Sequence, residues 1–151
     1  MIRQLQVRHV IQSSRHFHLS IALSICLLYY SIFLLIPANP LLNDPDTFWH
    51  IGTGQWILDH AQFPTVDVFS YTAAGKPWTS TEWLSDIIFA VAFKIGGWRT
   101  VAALAALTCG AIVGLLCFYL LRNLRFSVAI AWTALSAAPV SSHFLARPHI
   151  F

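Results

Sequence analysis

Three long apolar runs flank and follow a single polar, aromatic window. The first, Leu19 to Ile36, reads LSIALSICLLYYSIFLLI and carries no charge. As a helix it reaches across about 30 Å of hydrocarbon. The second, Thr100 to Leu121, is also uncharged and repeats small residues at Ala103, Ala106, Gly110 and Gly114. Gly110-x-x-x-Gly114 permits close helix packing, and an ordinary contact within one chain is its simplest use. Arg122 and Arg125 make a tight basic turn before the third run, Phe126 to Ala146. Runs of this length and purity predict transmembrane helices at 19–36, 100–121 and 126–146.

The window between them, 37–99, predicts two shorter helices. Asp44 is a good N-cap, Pro45 suits the first helical position, and Asp46 complements the positive end of the helix dipole. That helix runs over about 45–60, weakened by Gly52 and Gly54 and closed off by Pro64. Val66, Val68 and Tyr71, with a turn at Ala74-Gly75-Lys76-Pro77, suggest a short hairpin or an extended loop. Thr79-x-x-Glu82 matches a capping box. Behind it Leu84, Ile87, Ile88, Val91 and Ile95 recur at helical spacing, and Gly96-Gly97 ends the helix 82–95. This helix is about 21 Å long and carries Asp86 and Lys94, so lying in the interface costs less than crossing the bilayer.

Composition sharpens this pattern. Of 151 residues, 57% are hydrophobic and only 10% charged, well below the roughly 25% charged of soluble domains. The expected class is an all-α membrane protein with about three transmembrane helices and an external loop holding two interfacial helices. Residues 1–18 hold Arg3, Arg8 and Arg15 and no acid, which favours a cytoplasmic N-terminus and a retained signal anchor. The loop 37–99 is then external, 122–125 a cytoplasmic turn, and 147–151 an external end. The bilayer is the expected partner. A net charge of +3 without a basic stripe gives no nucleic-acid signal. Cys26, Cys109 and Cys117 lie in apolar runs and read as small hydrophobes, with no zinc spacing.

All six acids, Asp44, Asp46, Asp59, Asp67, Glu82 and Asp86, fall inside the polar window. Asp44-Pro45-Asp46 sits directly after the first apolar run. Such a pair suits a general base or a hard divalent cation, Mg²⁺ or Mn²⁺; equally, Asp44 caps the helix and Asp46 meets its dipole. Of the two, Asp46 is the better base because Asp44 is the better cap. His50, one turn after Asp46, can orient it, share a cation, or simply be a satisfied polar residue. Trp49 and Trp56 offer a flat stacking wall but suit an interfacial aromatic belt better. Glu82 is a capping partner or a second carboxylate of the same cavity, and Asp86 lies one turn on from it. Arg99 and Arg147, at outer ends of spans, can hold a phosphate or snorkel to headgroups. Asp59 and Asp67 read as solvated loop residues, Asp67 within reach of the turn at Ser70.

The strings DPDTFWHIGTGQWILDH, FPTVDVFSYTAAGKPW and EWL together resemble the first external loop of a bacterial polytopic branch of the C-type glycosyltransferase superfamily. That branch is related to dolichyl-phosphate-mannose mannosyltransferases and lipid A glycosyltransferases. The resemblance runs from about Leu19 to the end. It implies an inner-membrane, multi-pass enzyme that takes a sugar from a polyprenyl-phosphate donor to an acceptor on the outer face. It also implies that an acidic residue of this loop acts as base or helps hold a divalent metal. Asp46, Asp44 and Glu82 are the catalytic candidates on this reading, with His50, Trp49, Arg99 and Arg147 on the substrate and Asp44 and Asp46 on any metal. Relatives continue through many more helices, so the chain is expected to be an N-terminal fragment that needs those helices or another membrane subunit. The competing expectation is a non-catalytic membrane subunit whose loop binds a partner or glycan. A transport role finds no charge inside the three runs to support it.

Overall fold

The computed structural model describes residues 2–36, 40–141 and 145–151, with the side chains of 2–14, 40, 140, 141 and 149 left undescribed. Its elements are all helical: α1 (Ile2–Leu35), a 3₁₀ turn (Pro40–Leu42), α2 (Asp46–His60), α3 (Trp83–Asn123), α4 (Phe126–Ser141) and a second 3₁₀ turn (Pro148–Ile150). Among the described residues the only β pairing is one isolated antiparallel bridge, Val66 to Pro77.

Among the described residues, two helices are long and apolar enough to cross a membrane, Arg15–Leu35 within α1 and α3. α1 begins well before the apolar run that predicts it, because nothing in 2–18 breaks a helix. Much of its apolar surface is left open, including Leu23, Leu27 and Leu28. Within the third run α4 covers Phe126–Ser141, with Pro139 inside it, and these 16 residues reach about 24 Å. Residues 142–144 of that run lie outside the described residues.

α3 is one element with a break inside it. Gly96 and Gly97 leave helical geometry, and Gly97 sits at φ 63°, which favours glycine. Trp98 follows the break and packs edge-on against Phe48 at 4.5 Å and Phe93 at 5.2 Å. The stretch 83–95 is thus a separate helical piece, where the sequence places its second loop helix.

The chain divides into two compact units, Met1–Ala38 with Ala106–Phe144, and Asn39–Ala105 with Leu145–Phe151. In the first, α1 lies against the latter part of α3. A Cβ on Gly110 would stand 2.6 Å from the Cys26 carbonyl oxygen, and one on Gly114 2.9 Å from that of Ala22. Only glycine allows backbones this close. Cys117, Leu121 and Ala129 form a core there, with Ile21, Ile25, Leu120 and Ile130 around it.

The second unit is built differently. The stretch 65–78 closes as a loop: Asp67 N donates to Lys76 O at 2.8 Å and Trp78 N to Thr65 O at 3.0 Å. Residues 145–151 lie along the start of α2. Ala146 N donates to Leu41 O at 2.7 Å, and Thr47 Oγ1 to Ala146 O at 3.0 Å. Phe151 meets the buried Phe89 ring edge-on at 5.2 Å. The expected external end 147–151 is therefore part of the second unit's packing.

Candidate functional site

The first turn of α2 opens at Asp46, and Pro45 before it is already in helical φ/ψ. Asp44 Oδ1 accepts from Asp46 N at 3.0 Å, the bond expected of a side chain that caps the helix start. Its main partner comes from far along the chain. Arg147 Nε donates to Asp44 Oδ2, and Nη2 donates to Asp44 Oδ1 at 3.1 Å and to Asp46 Oδ2 at 3.0 Å. The fork fits a carboxylate pair because guanidinium donors diverge in one plane. The Asp44 side chain is 1% exposed and that of Asp46 60%. The Arg147 guanidinium, by hydrogen bonding, holds the Asp44 carboxyl below the usual carboxylate range, against the upward push of burial. The same contact raises Arg147.

This bears on the metal expectation. Asp44 and Asp46 already share a cation, and it is the guanidinium. Among the described residues no three His, Cys, Asp or Glu side chains gather as a metal site requires. A divalent ion at Asp44 and Asp46 would share these carboxylates with Arg147.

His50 does not turn to Asp46. Its Nδ1 lies 2.8 Å from Asp86 Oδ1 and 4.0 Å from Glu82 Oε2. Asp86 is buried, and its second oxygen accepts from Ser80 Oγ at 2.6 Å. The pair Glu82 and Asp86, one turn apart and mutually repelling when both are charged, thus faces an imidazole. The glycine at 54 makes this reach short: a Cβ there would stand 1.9 Å from Asp86 O. With no side chain between them, α2 and α3 approach to backbone contact one turn beyond His50.

The capping box does not form. α3 begins at Trp83, so Glu82 precedes the helix and cannot fill the third helical position that the box needs. Ser80, rather than Thr79, reaches the helix. Glu82, with its side chain 53% exposed, is free to line a cavity.

Asp46, Trp49, His50, Glu82, Arg147 and Pro148 line a cavity of about 450 Å³. A neighbouring hollow of about 210 Å³ shares Trp49, His50 and Glu82 and adds Trp78, Ser80 and Asp86. Trp49 is propped by Phe69 at 5.2 Å and Trp78 at 6.0 Å. It therefore presents a fixed aromatic wall. Trp56 instead stacks on His60 at 4.2 Å.

Five of the sequence candidates, Asp46, Trp49, His50, Glu82 and Arg147, meet in this cavity, and Asp44 anchors Arg147 beside it. Arg99 is exposed on α3 beyond the glycine break and lines neither hollow. Asp67 is buried, against the expectation of a solvated residue. It does bind the Ser70 turn, accepting from Phe69 N at 2.9 Å and Ser70 N at 2.8 Å. The Ser70 side chain and these N–H groups hold its carboxyl below the usual range. Asp59 accepts from Gln55 on the exposed face of α2. Sequence reasoning passed over Ser80, Trp78 and the orienting role of Asp86. The hydroxyl run Thr79-Ser80-Thr81 ahead of a helix with an acid in its first turn was the available signal.

The chemistry on offer is a proton acceptor beside a cation, under an aromatic wall, in a space of small-molecule size. No protein-family model, curated protein or solved structure matches this chain.

Proposed function

We propose that this chain is the N-terminal portion of an integral membrane glycosyltransferase. It moves a sugar from a polyprenyl-phosphate donor to a hydroxyl acceptor on the outer face of the inner membrane. One observation carries the reading: Asp46, His50, Glu82 and Arg147 line one cavity whose wall is Trp49. An aromatic face stacks on a sugar ring through its C–H groups. An arginine faces a phosphate leaving group, and a carboxylate or imidazole accepts the proton of the attacking hydroxyl. Two apolar helices long enough to span support a membrane setting. In this reading the N-terminus is cytoplasmic, three helices span, and the loop 37–99 lies outside. Helices beyond these, or another membrane subunit, complete the donor site.

The test is transfer of radiolabelled sugar out of polyprenyl phosphate, followed by thin-layer separation, in membranes with and without the gene. Gene-dependent loss of label from the lipid is the expected result. Equal turnover in both membranes removes the enzyme reading and leaves that of a glycan- or partner-binding subunit.

A further inference from the structure

We propose that His50, held by Asp86, is the group that takes the acceptor's proton, a role that rests on the glycosyl-transfer reading above. Three features of the second unit carry it. Asp86 is buried, and both of its oxygens are used, one by Ser80 Oγ at 2.6 Å and one by His50 Nδ1 at 2.8 Å. A carboxylate accepts only, so Nδ1 carries the hydrogen, and in the neutral ring the lone pair is then on Nε2. The ring lines the 450 Å³ cavity with its side chain 14% exposed, so it is shielded yet reachable. Gly54 lets α2 and α3 touch, and so fixes the distance from His50 to Asp86.

Asp46 is placed less well for this task. Its Oδ2 accepts from Arg147 Nη2 at 3.0 Å and its side chain is 60% exposed, so it is less shielded from water than His50. Asp46 and Asp44 instead aim the guanidinium at the cavity. Glu82 Oε2, 4.0 Å from the ring, faces the charge that His50 gains.

The step balances as follows. The acceptor O–H proton passes to His50 Nε2 while its oxygen bonds to the anomeric carbon. The bond from that carbon to the phosphate oxygen breaks, and its electron pair leaves with the polyprenyl phosphate. Arg147 faces the phosphate as its negative charge grows. The imidazolium then returns its proton to solvent. Asp86 is a positioning residue and touches no substrate.

The test uses the full protein in membranes, with radiolabelled polyprenyl-phosphate mannose and glucose as donor probes. His50→Gln is expected to lower kcat about 100-fold or more with little change in donor KM, the usual scale of acid–base catalysis. Asp86→Asn is expected to lower kcat at least about tenfold and to move the ring hydrogen off Nδ1. Nitrogen-15 spectra of the detergent-solubilised protein read that shift, with His50→Gln assigning the signal. Asp46→Asn is expected to lose less than His50→Gln. Near-normal kcat in a folded His50→Gln protein overturns the role, as does a deeper loss in Asp46→Asn or a wild-type ring protonated at Nε2. Absence of transfer by the wild-type protein overturns the glycosyl-transfer reading and this role together. That failure is distinct from an active wild type whose His50 variant stays active.

Discussion

The two units of this chain are held together by opposite means. In the first, α1 meets α3 through glycine and small apolar residues, with Cys117, Leu121 and Ala129 buried between helices. It contains no carboxylate, since all six acids fall between residues 44 and 86. In the second, a buried carboxylate meets an arginine, another meets a histidine and a serine, and rings prop one another edge to edge. Close packing suffices where only shape must be kept. Where side chains are to do chemistry, each must be aimed, and directional bonds do the aiming.

The comparison is tested most severely at its two tight glycines. Gly54→Val drives a side chain into Asp86 O in the second unit, and Gly110→Val drives one into Cys26 O in the first. Gly54→Val should cost about 3 kcal/mol and Gly110→Val about 2 kcal/mol, the upper range of overpacking. Thermal unfolding in detergent measures both. Only Gly54→Val should also abolish sugar transfer, because only there does the contact set His50 against Asp86.

Removing Arg147 leaves Asp44 buried and unpaired. Arg147→Ala should destabilise the protein by about 2 kcal/mol, less than a fully buried pair because the arginine is 41% exposed. Denaturant midpoints read the difference, and an unchanged midpoint would mean that the ion pair does not hold the segment 145–151.

Acid should separate the units. Asp44 and Asp67 have lowered folded-state pKa values, from the Arg147 and Ser70 bonds respectively. The unfolded chain therefore binds protons at higher pH than the folded one. Stability from these two groups is complete above their ordinary value of 3.8 and lost as pH falls through the folded values. As pH falls below about 4, hydrogen exchange should quicken in 40–105 while 106–123 stays protected. Uniform loss across both would contradict the division. At the small end, Asp59→Ala removes an exposed bond to Gln55 and should change stability by less than about 0.5 kcal/mol.

What the sequence made legible was local. The apolar runs located α1 and the later part of α3, because a helix apolar over its whole length shows as an unbroken uncharged run. α2 followed from Asp44-Pro45-Asp46, and the break at Gly96-Gly97 from paired glycines. The site was legible as a set of residue types but not as a set of partners. Asp44 and Arg147 are 103 positions apart, and no periodicity links them. His50 could be paired with Asp46 by helical spacing alone, whereas its true partner sits on another helix, admitted by a glycine whose role shows only in three dimensions. The capping box failed for a similar reason. Ser80 Oγ donates to Asp86 instead, and α3 starts only at Trp83.

That residues 44 and 147 build one site is tested most directly by a double-mutant cycle. Asp44→Asn, Arg147→Gln and the double variant are unfolded by denaturant under identical conditions at neutral pH. A coupling of about 1.5 kcal/mol or more is expected for a hydrogen-bonded pair with one buried member. Effects that add to within about 0.3 kcal/mol would show that the two residues do not meet, and the cavity would lose its cation.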